Sequence, residues 1–434
     1  MADADTHRRD RPLTIWVVNP FDDVPGEGLP PMRYWSLARI LAARGHDVTW
    51  WTADWSHRRK ARRVADTATR NSFTLELVPV RPYTRNVSAA RIASHRDFGR
   101  TFERRANEGL AAGSLARPDV ILASLPPFEG PEAAARLARR HGARFILDVM
   151  DLWPETFERL LPGPDWLRRA ASRALLGRMR SRRRALVAAA DAISAATHTY
   201  LDETLGGMRP DVPSHVCYLG ADLRAQSSEG RARPSRSANE PLHCVYAGSL
   251  EAGQDLETLV EAARLLAARA VPVVLHVAGT GRLESFLRTA AADLRGACRL
   301  EVHGLLPTPR YHDLLAACDV GLVLVKPESR VAVPYKACDY AAAGLALVNA
   351  LPGELQRLVD DHGAGLAYAA GDPGSLADAI ARLAADRGML ATMRAGSRAL
   401  AAAAFDRDRT YTRFADWLES SVAAGSPPAT ARES

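Results

Sequence analysis

Short apolar runs rich in β-branched residues alternate along this chain with segments whose apolar positions recur three and four apart, the pattern of strands alternating with helices. LTIWVVN (Leu13 to Asn19) reads as a buried strand, and DVTWWTA as the next one. Between them MRYWSLARILAARGHDV reads as a helix with Leu37, Ile40 and Leu41 inward and Gly45 as its stop. PDVILASLPP (Pro118 to Pro127) predicts a strand, PEAAARLARRHG a helix, and ARFILDVMDLWPETFERL a strand running into a loop. From Arg81 to Arg117 the pattern is polar and helical, and Trp166 to Ala190 is one helix. DAISAATHTYLDETL and SHVCYLGAD (Ser214 to Asp222) finish a first α/β domain. LHCVYAGSL, VPVVLHVAGTG, RLEVHGLL, DVGLVLV and LALVNA carry the alternation through a second.

At 434 residues the chain is too long for one ordinary core. Arg224 to Glu240, rich in Ser, Arg and Gly without periodicity, predicts an exposed linker. The resulting organisation is a domain over 1–222, a linker at 223–240, a domain over 241–405, an amphipathic helix at 406–422 and a disordered tail at 423–434. The five cysteines have no metal-ligand spacing and sit in apolar contexts, which predicts buried, reduced thiols and a cytoplasmic location. The first residues lack the apolar stretch of a secretion signal, and no apolar run is long enough for a spanning helix.

A net charge of +7 is concentrated rather than spread, with eight arginines and no acid between Arg168 and Arg184 and a second basic run, HRRKARR, from His57 to Arg63, a balance that suits anionic lipid or phosphorylated substrates. No nucleic-acid motif accompanies them, so nucleic acid is not expected as a partner. Two readings stay open: a solvated helix face, or a helix lying on an anionic membrane at its cytoplasmic side.

The candidate chemistry lies in VKPESRVAVPYKACDYAAAGLALVNALPGE (Val325 to Glu354). Pro334 precedes a short helix ending at Gly344, and its first turn holds Lys336 with Asp339 one turn on. In open parallel sheets ligands sit at the carboxyl ends of strands, where helix N-termini attract phosphate. A lysine there suits a diphosphate, and the acid suits the hydroxyls of a ribose. The bland alternative is an exposed ion pair. Gly26 and Gly28 sit between the first strand and first helix, either letting backbone approach a phosphate or making a tight turn. Arg33 and Tyr34 follow, facing acceptor or solvent. Asp148, Asp151 and Glu155 crowd one strand end, where like charges raise each other's pKa. Asp151, then Asp148, is the candidate catalytic acid or base; the alternative for Asp148 is a helix cap or a pair with an arginine. Glu354 either contacts a ligand or caps the next helix.

PYKACDYAAAGLALV resembles the P-S-K-x-x-E-Y-M-A-x-G-x-P-V signature of glycosyltransferase family 4, and DVMDLWPE resembles the D-x-R-D-L-W-P-E motif of a subgroup with fucosaminyl and related N-acetylhexosaminyl transferases of polysaccharide assembly. The resemblance implies an α/β GT-B fold, two Rossmann-like domains facing each other across a cleft, acceptor on the first and nucleotide sugar on the second. It implies a retaining enzyme moving a sugar from a nucleotide-diphosphate donor to a hydroxyl acceptor, lipid-linked or natural product, with Lys336 catalytic, no metal and no cofactor. On the donor side it implies Gly248 and Ser249, where the family has Gly and Arg, then Gly279 and Gly281, Leu305, Lys336, Asp339 and Glu354. The first acid of the family's E-x7-E pair falls at Val331, and Glu328 stands nearby as its substitute. A nucleotide-sugar epimerase or phosphorylase of this fold, and an inactive partner subunit, remain the alternatives.

Overall fold

The computed structural model describes residues 11–27, 32–63, 72–158, 165–226, 240–251 and 253–423, without the side chains of 158, 165–173, 175, 226 and 423. It divides into unit 1, Met1–Cys217 with Tyr411–Ser434, and unit 2, Tyr218–Thr410. Most of the segment read as a linker, and the terminal tail, lie outside the described residues.

Unit 1 contains β1 (Thr14–Val18), β2 (Asp47–Ala53), a hairpin of β3 (Trp55–Ser56) and β4 (Ala61–Arg62), then β5 (Thr74–Val78), β6 (Val120–Leu125), β7 (Arg144–Val149), β8 (Ala192–Ala195) and β9 (Ser214–Val216). Its main sheet runs β5-β2-β1-β6-β7-β8-β9 with every pairing parallel. Helices cover the faces, so the strands are apolar nearly throughout. The order reverses between β1 and β6, and there Asn19, just past β1, donates from Nδ2 to Ser124 Oγ of β6 at 2.9 Å.

Unit 2 repeats the scheme with β10 (Leu242–Ala247), β11 (Val273–Ala278), β12 (Cys298–Gly304), β13 (Val320–Val323), β14 (Ala346–Asn349) and β15 (Gly365–Ala367), in the order β12-β11-β10-β13-β14-β15. Its reversal lies between β10 and β13. Gly321 in β13 leaves room for a buried ring: a Cβ there would stand 2.4 Å from Tyr340 Cδ2. The Tyr340 hydroxyl in turn accepts the Ala247 N–H at 2.7 Å and fastens its helix to the end of β10.

A buried charge pair organises unit 1. Arg33, at the start of the helix Arg33–Ala43, donates from Nε and Nη2 to the two oxygens of Asp148 on β7, both at 2.8 Å, and from Nη1 to Cys217 O at 2.6 Å. Tyr34 Oη (2.6 Å) and Ser194 Oγ (2.7 Å) donate to the same carboxylate. Both charged side chains are 0% exposed. Burial alone would lower the Arg33 pKa and raise that of Asp148; their mutual attraction overrides it, holding Arg33 well above and Asp148 below its usual range. The final helix, Arg407–Ala423, closes the hub from the other side. Its Tyr411, Phe414, Ala415, Leu418 and Val422 recur at helical spacing on the core of unit 1, and the Phe414 ring lies 4.8 Å from the Arg33 guanidinium. All five cysteines are buried and none forms a disulfide. Among the described residues no helix is long and apolar enough to cross a membrane.

Removing one partner strands the other's charge, so Asp148→Ala is expected to lower the stability of unit 1 by about 3–5 kcal/mol in urea unfolding. Replacing both Arg33 and Asp148 with apolar residues of similar volume should recover most of that loss. A cost for Asp148→Ala below about 1 kcal/mol would remove the hub from this role.

Candidate functional site

In unit 2 the loops beyond β10, β11 and β12 are laced by backbone hydrogen bonds: Gly248 N to Ala278 O, Leu250 N to Thr280 O and Gly279 N to Gly304 O, at 2.9, 2.9 and 2.7 Å. The approach is close enough to demand glycine. A Cβ on Gly279 (φ +143) would lie 1.8 Å from Gly248 O, and one on Gly281 (φ +157) 2.4 Å from Leu250 O. These glycines are therefore needed by the packing of the loops on each other, whatever they touch besides.

Over that floor stands Lys336, in the first turn of the helix Tyr335–Ala342. Its Nζ lies 4.1 Å from the Tyr246 ring centroid, donates to Gln254 Oε1 at 3.1 Å, and would be 3.2 Å from a Cβ on Gly248. Burial pushes its pKa down to about 7. Asp339, one turn along, accepts the Tyr311 hydroxyl on Oδ2 at 3.0 Å, and burial rather than a carboxylate is what shifts Lys336. Ser249 is exposed, and its carbonyl takes the Tyr246 hydroxyl at 2.9 Å. Leu305 is 72% exposed just past β12; Glu328 and Val331 are exposed in the loop after β13. Glu354 differs from a ligand-facing residue: it is 4% exposed and accepts the Tyr218 hydroxyl at 2.6 Å.

In unit 1 several expectations need correction. Arg33, Tyr34 and Asp148 have no surface to offer an acceptor, being the hub already described. Like charges do not raise Asp148; the guanidinium beside it holds it down. Glu155 is taken by Arg183 at 2.6 Å. Gly26 (φ +87) makes a turn closed by Glu27 N to Val24 O at 3.3 Å, while Gly28 lies outside the described residues. Asp151 is half-buried and accepts Leu152 N and Thr156 Oγ1, at 2.8 and 3.0 Å.

Around Asp151 the structure gathers further residues, of which His57 and Lys60 belong to the basic run HRRKARR and the others stood out in no sequence pattern. Phe21 follows β1, His57 and Lys60 follow β2, Tyr83 follows β5, and Arg91 and His95 occupy the first two turns of the helix Ala89–Ala111. The Arg91 guanidinium lies 5.3 Å from the Phe21 ring and 5.7 Å from that of Trp153. The available signal was topological: a helix following a parallel strand begins at the carboxyl edge of the sheet. In unit 2 His243, His276 and His303 stack across β10, β11 and β12 with ring nitrogens 2.9 and 3.0 Å apart. Tautomers that alternate donor and acceptor satisfy this ladder.

Residues 32–220 match the family model of the glycosyl transferase 4-like domain, and residues 241–386 that of the glycosyl transferases group 1. The chain belongs to the GT-B glycosyltransferases. Among solved structures, Anabaena HepE in complex with UDP and glucose is 16% identical, with a TM-score of 0.63 over 94% of this chain and 100% of that one. Sucrose-phosphate synthase from Thermosynechococcus elongatus is 15% identical, with a TM-score of 0.67 over 95% and 100%. WaaG, a glycosyltransferase involved in lipopolysaccharide biosynthesis, is 14% identical, with a TM-score of 0.62 over 93% and 98%. At such identities the likeness speaks for the GT-B fold. Among curated proteins none matches the sequence.

The glycine floor of this glycosyltransferase is open to test. Gly279→Ala should destabilise unit 2 by about 2–4 kcal/mol in thermal or urea unfolding, because both the backbone angle and the Gly248 carbonyl oppose a side chain. Unchanged stability would mean that the loops can separate without cost.

Proposed function

We propose that the chain is a retaining transferase that moves a sugar from a nucleoside-diphosphate sugar, held by unit 2, to a hydroxyl acceptor, held by unit 1. The observation that carries this reading is the Lys336 ammonium, half-buried above the Gly248 loop at the strand-order reversal of unit 2 and hydrogen-bonded to a neutral partner. A cation in the first turn of a helix meets a diphosphate with its own charge and with the helix dipole. HepE, solved with UDP-glucose, lends the donor class further support.

In this reading the bond from the anomeric carbon to the diphosphate oxygen breaks and its electron pair departs on the diphosphate. Lys336 stabilises that growing charge. The acceptor oxygen bonds to the same carbon, and its proton passes to the Asp151 carboxylate. Asp339 takes the ribose hydroxyls with its carboxylate, Leu305 offers backbone to the base, and Glu328 stands in for the missing acid at Val331. Retention rests on the likeness of PYKACDYAAAGLALV to family 4; the hexosyl or N-acetylhexosaminyl donor type and polysaccharide assembly rest on that of DVMDLWPE to its subgroup. No metal is assigned, since Lys336 supplies the charge.

Lys336→Ala is expected to lower kcat/KM by about 10²–10³-fold. Because the free lysine is protonated only below about 7, affinity for UDP should fall as pH rises through that value, which calorimetry at several pH values reads directly. Turnover should persist in EDTA. Full activity in Lys336→Ala, or loss in EDTA restored by manganese, would refute the assignment.

A peripheral membrane location through the arginine helix is a separate proposal. Arg182 pairs with Glu129 and Glu132, and Arg183 with Glu155, so among the arginines with described side chains Arg178 and Arg184 are the exposed ones. Flotation with anionic liposomes at physiological salt is expected to carry the protein, and Arg178→Ala with Arg184→Ala to weaken it. Binding that survives their loss, or no binding at all, would end the proposal.

A further inference from the structure

The basic cluster at the carboxyl edge of the unit 1 sheet holds two buried nitrogens that no group among the described residues satisfies. Lys60 has neutral hydrogen-bond partners, Asn86 Oδ1 at 2.7 Å and His57 Nδ1 at 3.4 Å, and lies 4.9 Å from the Tyr83 ring. Its backbone takes φ 53, an angle uncommon for a residue with a side chain. Arg91 donates from Nη1 to a backbone carbonyl, Asn86 O, at 2.6 Å, while its Nε is buried without a hydrogen-bond partner. His95 is 5% exposed between the rings of Phe21 and Trp153, at 5.5 and 6.0 Å, and its Nε2 also lacks a partner. A buried polar atom left unpaired is costly, and here two occur on neighbouring turns of one helix.

The nearby acids do not fill the gap. Asp23 faces Arg58 at 3.4 Å and Glu27 faces Arg63 at 3.1 Å. Asp22 accepts the Tyr34 N–H at 2.9 Å and is raised to about 6 by burial. Asp151 is the carboxylate that acts on Arg91, set against that arginine, Lys60 and two histidines. Burial and the neighbouring cations push His57 and His95 down to about 3 and Lys60 to about 8. The cluster thus repels its own protons until an anion arrives.

We propose that Lys60, His57, Arg91 and His95 bind a phosphate group carried by the acceptor, an inference that rests on the acceptor role given to unit 1 above. Phosphate suits the site better than a carboxylate: donors from the β3–β4 hairpin and from two turns of a helix converge from different sides, and phosphate has oxygens for each. The rings of Phe21, Tyr83 and Trp153 flank the site and shield part of it from water, which strengthens the charge contacts there.

Inorganic phosphate titrated into the full chain should move the histidine side-chain NMR signals of His57 and His95 saturably. Lys60→Ala and Arg91→Ala should weaken that response about tenfold or more, and Lys336→Ala should leave it unchanged. Lys60→Ala, at a partly exposed side chain, guards against an Arg91 variant that fails to fold. Absent shifts, or equal affinity in Lys60→Ala and wild type, would overturn the proposal. A sugar phosphate and a short prenyl phosphate are then compared with inorganic phosphate: the one that binds tighter separates a soluble from a lipid-linked acceptor, and no gain from either would refute the acceptor assignment. UDP binding to the same wild-type sample is read separately. Its loss would sink the transferase reading, whereas its persistence without a phosphate response would sink this one alone.

Discussion

The ion pair between Arg33 and Asp148 is the constraint on which unit 1 depends. Two charges taken fully out of water are tolerated only when each polar atom finds a partner, and here Arg33, Tyr34 and Ser194 saturate the carboxylate. Those partners come to the β7 carboxylate from the first helix and β8, while Cys217 and Phe414 add the chain beyond β9 and the final helix. An apolar cluster of similar volume could match its stability. What the pair adds is direction: bidentate geometry fixes the start of the first helix against the end of β7, from which the Asp151 loop departs.

Unit 2 solves the same problem of holding loops at a sheet edge by a different means. Its constraint is steric rather than electrostatic. Gly279 and Gly281 let strand-end loops hydrogen-bond to one another at distances that exclude any side chain. The floor so formed leaves room for one long side chain, and Lys336 occupies it. Tyr340, seated over Gly321, pins the helix that carries Lys336, so the lysine's position follows from packing in the strands below.

Much of this was legible in the sequence because buried parallel strands are continuously apolar and helices in such folds carry clear stops. DVGLVLV, the proline before Tyr335 and the glycine at 344 gave the strand, helix and turn, and Gly344 takes φ +64 as a stop requires. The polar interior was not legible. Asp148 at a strand end reads as chemistry, and its arginine lies 115 residues away, joined to it only by the fold. Arg91 and His95 were invisible for the opposite reason: in a polar helix with a weak apolar stripe, two basic residues resemble solvated surface until the preceding strand is known to place them at the sheet edge.

The sign of each perturbation separates charges that serve the fold from charges that await a ligand. Arg33 is held well above its ordinary pKa because the carboxylate it needs is already present. Lys336 is pushed down to about 7 by burial, with no neighbouring charge to offset it, and Lys60 is pushed to about 8 by burial and Arg91. A fold gains nothing from burying a cation against neutral partners, so such positions point to anions that arrive later. One such cation stands at the strand-order reversal of unit 2, and Lys60, hydrogen-bonded to Asn86 and His57, stands on the carboxyl edge of the unit 1 sheet. The proposed anionic donor and phosphate-bearing acceptor account for both with one physical argument.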